Sequence, residues 1–442
     1  MALILPFIES EIQDQYQAED NSRPWIVGFS GGKDSTMLLQ LVWKAVQKLP
    51  EQLRWRPVHV VCNDTMVENP RIVRFIEDTL HRIEAAATKQ SMPFFVHRTT
   101  PRLEDSFWTN LLGKGYPAPS STFRWCTERL KINPTTHFIK TKISDAGEVI
   151  ILLGTRSAES SRRSRSMAKH AVHGQRLRKH VLPNAYVYAP IKDIETNELW
   201  QYLSQVPPPW GGTHKELITL YRNASTEADC PLVIDDETPS CGKSRFGCWV
   251  CTVVVKDKSM DGLIMNGETW MEPLSELRDY LILTRDNPEQ YRQKRLRNGT
   301  IREDAWGPYK PEVRAEILRR LLQAQKEIRQ EYDETMTFIT HQELVAVQVT
   351  WYRDGIFDYD VAQIYNSVFD TKLDLGLDRR TAKIREEETL LREVCQDNPG
   401  HFDLIQQTLK VVKAKSLLVR KRGLHNDIEQ VLDNYLLEGA IV

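Results

Sequence analysis

Trp25-Ile26-Val27-Gly28-Phe29 runs straight into Ser30-Gly31-Gly32-Lys33-Asp34-Ser35, and this junction decides how the chain is read. The first five residues are an apolar run that predicts a short buried strand. Beyond the glycines, apolar residues at Leu38, Leu41, Val42, Ala45, Val46 and Leu49 recur with helical spacing. Strand, glycine turn and helix together aim backbone N–H groups and a helix N-terminus at a bound phosphate. Two glycines let the backbone approach the anion, Lys33 adds charge, and Ser30 and Ser35 add donors. Asp34 repels phosphate unless a cation such as Mg²⁺ lies between them, so the stretch predicts a nucleotide site with its metal. A Walker A loop is excluded by position: its first glycine falls at Val27 and its hydroxyl residue at Asp34. A bare Gly-Gly turn is the bland alternative, and it requires none of the other four residues.

The 442 residues suffice for two or three domains and a substantial core. With 59 Lys and Arg against 60 Asp and Glu, the whole chain exerts no general attraction on nucleic acid, so any such contact must come from local basic patches. The start, Met1-Ala2-Leu3-Ile4-Leu5-Pro6, lacks a basic region and is followed by Glu9 and Glu11, unlike a signal peptide. No apolar run approaches membrane-spanning length. Seven cysteines in a large chain of this kind suggest reduced thiols, metal ligation or catalysis rather than disulfides. A soluble, cytoplasmic protein without a membrane partner is expected.

From Trp25 to Leu203 strand-like and helical runs alternate. Val58–Cys62, Phe94–Val96 and Val149–Leu153 read as further strands, and Ile72–Ala87 as a helix. Continuous Val/Ile/Leu runs predict strands buried on both faces, hence an α/β fold with a mostly parallel sheet flanked by helices. Ligands in such folds sit at the carboxyl ends of the strands. There the glycine loop, Asn63-Asp64-Thr65 and Gly154-Thr155-Arg156 are expected to converge. Pro207-Pro208-Pro209-Trp210-Gly211-Gly212 is loop-like, a cysteine-rich segment follows, and the remainder is largely helical. Pro311 opens a long helix with Val313, Ile317, Leu321 and Ile328 on one face, and Thr340 with Glu343 forms a capping box before another. The expected domains are an α/β domain over 1–225, a four-cysteine segment over 226–260 and a helical region over 261–442.

Cys230, Cys241, Cys248 and Cys251 are separated by ten, six and two residues. Four sulfurs around one centre suit tetrahedral Zn²⁺ or a [4Fe–4S] cluster, and spacing alone does not choose between them. Cys126 stands apart, flanked by Arg124, Arg129 and Lys131, which favour its thiolate, as does the dipole of a helix opening at Thr127. It reads either as a reactive, sulfur-carrying thiol or as a small buried residue at a helix start. Cys62 and Cys395 read as structural. Eight Lys and Arg, Arg156 included, and one acid from Arg156 to His180, and six basic residues from Lys410 to Arg422, are candidates for phosphate contact, with solvated faces as the default reading.

The loop, Arg124-Trp125-Cys126-Thr127 with Leu130-Lys131, and Gly154-Thr155-Arg156 with Glu159, Ser160 and Arg163 resemble the PAPS reductase branch of the PP-loop ATP pyrophosphatases. These have an adenine nucleotide alpha hydrolase-like fold, cleave ATP between its α and β phosphates and adenylate a substrate oxygen. With Asp64-Thr65, Glu68-Asn69-Pro70 and the four-cysteine segment added, residues 20 to 260 are similar to the DndC family of DNA phosphorothioation sulfurtransferases. That resemblance implies that a DNA backbone phosphate is adenylated and that sulfur replaces a non-bridging oxygen. It implies ATP and Mg²⁺ held by Ser30, Gly31, Gly32, Lys33, Asp34, Ser35, Gly154 and Arg156. Lys33, Asp34 and Cys126 are the implied catalytic residues. A [4Fe–4S] cluster on Cys230, Cys241, Cys248 and Cys251, a cysteine desulfurase as sulfur donor and DndD- and DndE-type partners are implied as well. A PAPS or APS reductase is the first competitor. Those enzymes use a nucleophilic cysteine in a C-terminal tail, whereas no cysteine follows Cys395 here. A tRNA-thiolating PP-loop enzyme is the second.

Overall fold

The computed structural model describes residues 4–18, 22–157, 176–223, 247–297, 300–356, 358–371, 373, 379–416 and 424–439. Two compact units divide the chain, the first comprising residues 1–107 and 119–278 and the second 108–118 and 279–442.

The first unit is built on a six-stranded sheet. Its strands are β1 (Trp25–Gly28), β2 (Val58–Asn63), β3 (Phe94–Thr99), β4 (Val149–Leu152), β5 (Arg178–Lys179) and β6 (Ala185–Tyr188), in the order β3-β2-β1-β4-β6-β5. Every pairing is parallel except β5 with β6. The apolar runs of β1, β2 and β4 are buried on both faces, as continuous rather than alternating hydrophobicity requires. β3, at the edge, is buried only at its two ends. The sequence reading found four strands and missed β5, only two residues long, and β6, whose Ala-Tyr-Val-Tyr lacks a continuous Val/Ile/Leu run.

Helices cover both faces. On one, Ile139 of α4 (Asn133–Ala146) packs in a core cluster with Ile26, Val61, Val149 and Ile151. On the other, Trp25, one residue out of register with Ile26, meets Tyr16 of α1 (Ile4–Gln17) edge to face at 5.3 Å. α2 (Lys33–Gln47) packs on α1, and α3 (Pro70–Lys89) on β3. α3 starts where the chemistry dictates, because Pro70 needs no N–H partner and the Asn69 side chain accepts from the Arg71 N–H. The chain leaves β1 towards β2 on one side and reaches β4 on the other. The β1/β4 junction is therefore the topological switch point where such sheets bind ligands.

The second unit, with the longest helix at Pro311–Glu331, is helical among its described residues. The Thr340–Glu343 capping box is formed: the Thr340 hydroxyl accepts from the Glu343 N–H at 3.2 Å and the Glu343 carboxylate from the Thr340 N–H at 2.9 Å. Trp351 donates its indole N–H to the Leu112 carbonyl at 2.7 Å, and Trp108 to that of Phe338 at 2.7 Å, tying residues 108–118 into this unit. Among the described residues no helix is long and apolar enough to cross a membrane.

One polar pair lies within the α4 face of the sheet. His59 Nδ1 and His97 Nε2 are 2.9 Å apart, beside Phe138. Burial holds His59 down to about 4 and lowers His97 too, with Lys142 adding repulsion and Asp145 opposing it weakly at His59. Unfolded histidines titrate near about 6.5, so the unfolded chain binds more protons below that pH. The stability of this face is therefore full above pH 6.5 and is lost as the pH falls towards about 4. Urea denaturation of the wild type and His59→Gln across this window is expected to show a steeper acid loss in the wild type. Parallel pH profiles would contradict it.

Candidate active site

The glycine loop sits at the carboxyl end of β1, and its backbone is shaped by close approach. Gly31 has φ +70°, and a Cβ there would lie 2.5 Å from Ile76 Cγ1 on α3, so conformation and space both demand glycine. Ser35 holds the loop closed: its Oγ accepts from the Ser30 N–H at 3.2 Å and donates to the Gly32 carbonyl at 3.0 Å. Gly32 caps α2 and, having no side chain, supplies no capping hydrogen bond of its own. The Lys33 N–H donates to the Tyr221 hydroxyl at 3.3 Å, and the Lys33 ammonium lies 5.4 Å from that ring. Tyr221, on the helix Lys215–Asn223, was not singled out from sequence; one tyrosine on a short amphipathic helix carries no signal. Its hydroxyl is pushed up to about 12 by burial, so it acts as a neutral hydrogen-bonding group.

The second expected cluster reaches the loop. A Cβ on Gly154 would lie 2.8 Å from the Asp34 carbonyl oxygen, so the strand end after β4 touches the start of α2 backbone to backbone. Arg156, only 1 % exposed, forms an ion pair with Asp34 and donates to the Ile194 carbonyl at 2.9 Å and to Thr196 Oγ1 at 3.2 Å. Lys33, 6 % exposed, lies 3.0 Å from the other carboxylate oxygen of Asp34. The negative charge that sequence reasoning assigned to Mg²⁺ thus has two cations of the chain's own. Arg156 is turned to Asp34 and the start of the helix Thr196–Gln205, not outward.

The third cluster, at the end of β2, gathers sulfur. Residues 247–249 run antiparallel to 67–69, with the Asn69 N–H on the Gly247 carbonyl at 3.3 Å and the Trp249 N–H on that of Val67 at 3.0 Å. This pairing places Cys248 Sγ 3.4 Å from Thr65 Oγ1. The Cys251 N–H donates to the Cys248 carbonyl at 3.0 Å, closing a tight turn, and buried Arg278 grips the Cys251 carbonyl at 2.9 Å. Cys126 lies in the first turn of a helix that begins at Trp125, passes through a π-helical stretch Thr127–Ile132 and continues as α4.

The three half-buried thiols feel one another and one lysine. Burial pushes Cys126 up, Cys251 adds to the rise, and Thr127 and Lys131 oppose it. Cys248 is pushed up to about 11 by burial, against the pull of Lys131. Lys131 is raised in turn, chiefly by Cys248 and then by Glu68, Cys126 and Cys251. Flanking cations and a helix dipole were expected to favour the Cys126 thiolate. Arg129, however, is paired with Asp105, and desolvation outweighs what Lys131 supplies. Cys62, pushed up by burial to about 12, and Cys395 are buried free cysteines.

Cys230 and Cys241 lie outside the described residues, as do Glu159, Ser160, Arg163 and most of the basic stretch after Arg156. Cys248 and Cys251 match thiolate ligation in donor type and supply half of the expected ligand set. Among the described residues no group of three or more His, Cys, Asp or Glu is placed to hold a metal ion.

Residues 24–253, just over half of the chain, match the family described as phosphoadenosine phosphosulfate reductase domain. An uncharacterized protein of Methanocaldococcus jannaschii is 28% identical over 198 residues, 45% of this chain, which spans about a third (35%) of that protein's length. Among solved structures, the phosphoadenylyl-sulfate reductase of Candida auris in its phosphate complex is similar over 46% of this chain and 87% of its own, at 12% identity and a TM-score of 0.29. The FMN adenylyltransferase of Candida glabrata is similar over 53% of this chain and 67% of its own, at 14% identity and a TM-score of 0.30. At these scores neither likeness carries an argument.

The ion pair makes its own prediction. Asp34→Asn leaves the buried Arg156 guanidinium without its carboxylate and is expected to cost about 3–5 kcal/mol in urea denaturation. Adding Arg156→Met should recover much of that loss. A double variant as unstable as the two single changes summed would contradict the pairing.

Proposed function

The chain belongs to the phosphoadenosine phosphosulfate reductase domain family, and from that premise we propose that it is a nucleotide-dependent enzyme of sulfur chemistry. The glycine loop binds the phosphates of an adenylyl nucleotide, and the thiols at the end of β2 handle sulfur. The observation that carries this reading is that Cys248 sits 3.4 Å from Thr65 at the β2 end, on the same sheet edge as the loop, with Cys251 one tight turn on and Cys126 on the helix that carries Lys131.

The chain's own residues have distinct tasks. The start of α2 and Lys33 receive the phosphates, with a phosphate oxygen replacing the Tyr221 hydroxyl at the Lys33 N–H, and Gly31 and Gly154 allow the backbone to come close. Asp34, already neutralised by Arg156 and Lys33, fixes the lysine; a phosphate arriving there draws Lys33 towards itself, and Mg²⁺ then has Asp34 as its candidate ligand. With adenylyl sulfate, or its 3′-phosphorylated form, as substrate, the Cys126 thiolate attacks sulfur. The S–O bond to the nucleotide phosphate breaks, and the nucleotide leaves with the electron pair. A second thiol, with Cys251 the candidate, attacks the Cys126 sulfur, releasing sulfite and leaving a disulfide. An external dithiol returns both cysteines to thiols. Lys131 stabilises each thiolate as it forms.

A second reading is phosphorothioation of DNA. There ATP adenylates a backbone phosphate with loss of pyrophosphate, and the outer sulfur of a Cys126 persulfide displaces AMP. A second thiol attacks the Cys126 sulfur to free the phosphorothioate and leave a disulfide that an external dithiol reduces. A cysteine desulfurase supplies the sulfur to a complex with DndD- and DndE-type proteins. The tight Cys248–Cys251 turn favours it, because it presents two thiols as metal-ligand pairs do. In that case Cys230, Cys241, Cys248 and Cys251 would hold a [4Fe–4S] cluster, which supplies electron transfer or sulfur delivery.

The readings separate in one experiment. Anaerobically purified protein is given ³⁵S-labelled adenylyl sulfate or its 3′-phosphorylated form with a dithiol, and sulfite is measured. DNA from cells with and without the gene is digested in parallel and searched by mass spectrometry for phosphorothioate dinucleotides. The reductase reading expects sulfite that disappears in Cys126→Ser. No sulfite together with gene-dependent phosphorothioate dinucleotides would overturn it in favour of the second.

A further inference from the structure

A cavity of about 530 Å³ opens in the first unit where β3 ends, away from the glycine loop. Its wall joins the chain leaving β3, Asp105, the π-helical stretch and the first two turns of α4. Arg98, Arg102, Arg129 and Lys140 line it together with His137, and Asp105 is the one carboxylate among them. Asp105 is taken by Arg129, and Arg98 pairs outward with Glu77 at 2.8 Å. Neither Arg102 nor Lys140 has an ion-pair partner among the described residues. With Arg129 and Arg98 each paired to a carboxylate, Arg102 and Lys140 leave a net positive potential in a concave, hydroxyl-lined space, which attracts an anion.

The floor is built to stay in place. Thr99 donates its hydroxyl to Asn63 Oδ1 at 3.1 Å, and the Asn63 amide donates to the Leu130 carbonyl at 2.9 Å. The ends of β2 and β3 are thereby fastened to the helical stretch that carries Arg129 into the cavity and Cys126 three residues before it. Sequence reading missed this cavity, because its cations come from three separated segments and none forms a run.

We propose that this cavity is an oxyanion site of its own, taking the phosphate or sulfate group of a second ligand while the glycine loop takes a nucleotide elsewhere on the same edge. Arginine forks suit tetrahedral oxyanions, Thr100 and Thr136 add hydroxyl donors, and the volume admits more than a single phosphate group. The assignment rests on the cavity and its charges, not on the reading of the loop or the thiols. The anion has two sources, a small phosphorylated or sulfated molecule or the backbone of a nucleic acid.

The test is binding, measured on the full chain and on Arg102→Gln/Lys140→Gln, both at exposed positions. Inorganic sulfate is titrated by calorimetry, and a short fluorescein-labelled DNA duplex by anisotropy at several salt concentrations. Sulfate binding weakened about tenfold or more in the variant, with no duplex binding, supports the site and a small-molecule source. Duplex binding weakened similarly, with the salt dependence reduced by about two phosphate contacts, supports the site and a nucleic-acid source. Neither probe binding the wild type, or both binding the variant as tightly, would overturn the proposal. Circular dichroism of the variant shows that it is folded.

Discussion

Asp34 and Arg156 are 122 residues apart in the chain and form one buried ion pair, which fixes what surrounds it. Burying a guanidinium is costly unless a carboxylate and further acceptors meet it, and here Asp34, the Ile194 carbonyl and Thr196 all do. The pair joins the helix after β1 to the strand end after β4, across the switch point of the sheet. It also explains why Gly154 is glycine, since the two backbones are already in contact at Asp34. Lys33, drawn to the same carboxylate and stacked near Tyr221, is held at the mouth of the loop rather than left in solvent. Such preorganisation is what a phosphate cradle needs, because little has to be reordered when charge arrives.

Along the same carboxyl edge, each neighbouring strand end presents a different chemistry. β1 and β4 present the glycine loop and its ion pair. β2 presents Thr65 against Cys248, and β3 opens into the basic cavity. A single helical stretch connects the last two, with Cys126 at its start, Arg129 in the cavity and Lys131 among the thiols. The π-helical winding matters here, because it changes the angular spacing between these three residues from that of a regular α-helix. An insertion or deletion between Cys126 and Asn133 would therefore disturb thiol and cavity together.

Much of the fold was legible because long apolar runs leave little choice. Val58–Asn63 and Val149–Leu152 are wholly or almost wholly buried and so carried their strands in plain sight. The glycine loop was legible for the same local reason, since all six of its residues are contiguous. What escaped was assembled across distance. Tyr221 meets Lys33 from 188 residues away, Arg278 grips Cys251, and Arg102 joins Lys140 only once β3 and α4 are side by side. Charge was the hardest to read: Arg129 beside Cys126 in sequence looked like an activator, and in the fold it belongs to Asp105. The basic stretches that stand out as runs lie mostly outside the described residues, whereas the scattered cations build a cavity.

Residues 30–35, braced by Arg156, are the proposed nucleotide cradle. Hydrogen–deuterium exchange with and without adenylyl sulfate, its 3′-phosphorylated form or α,β-methylene-ATP tests this directly. The account predicts slowed exchange in peptides covering 29–36 and 152–157, where loop and strand end touch. Unchanged exchange in both, with protection appearing in another segment, would contradict it.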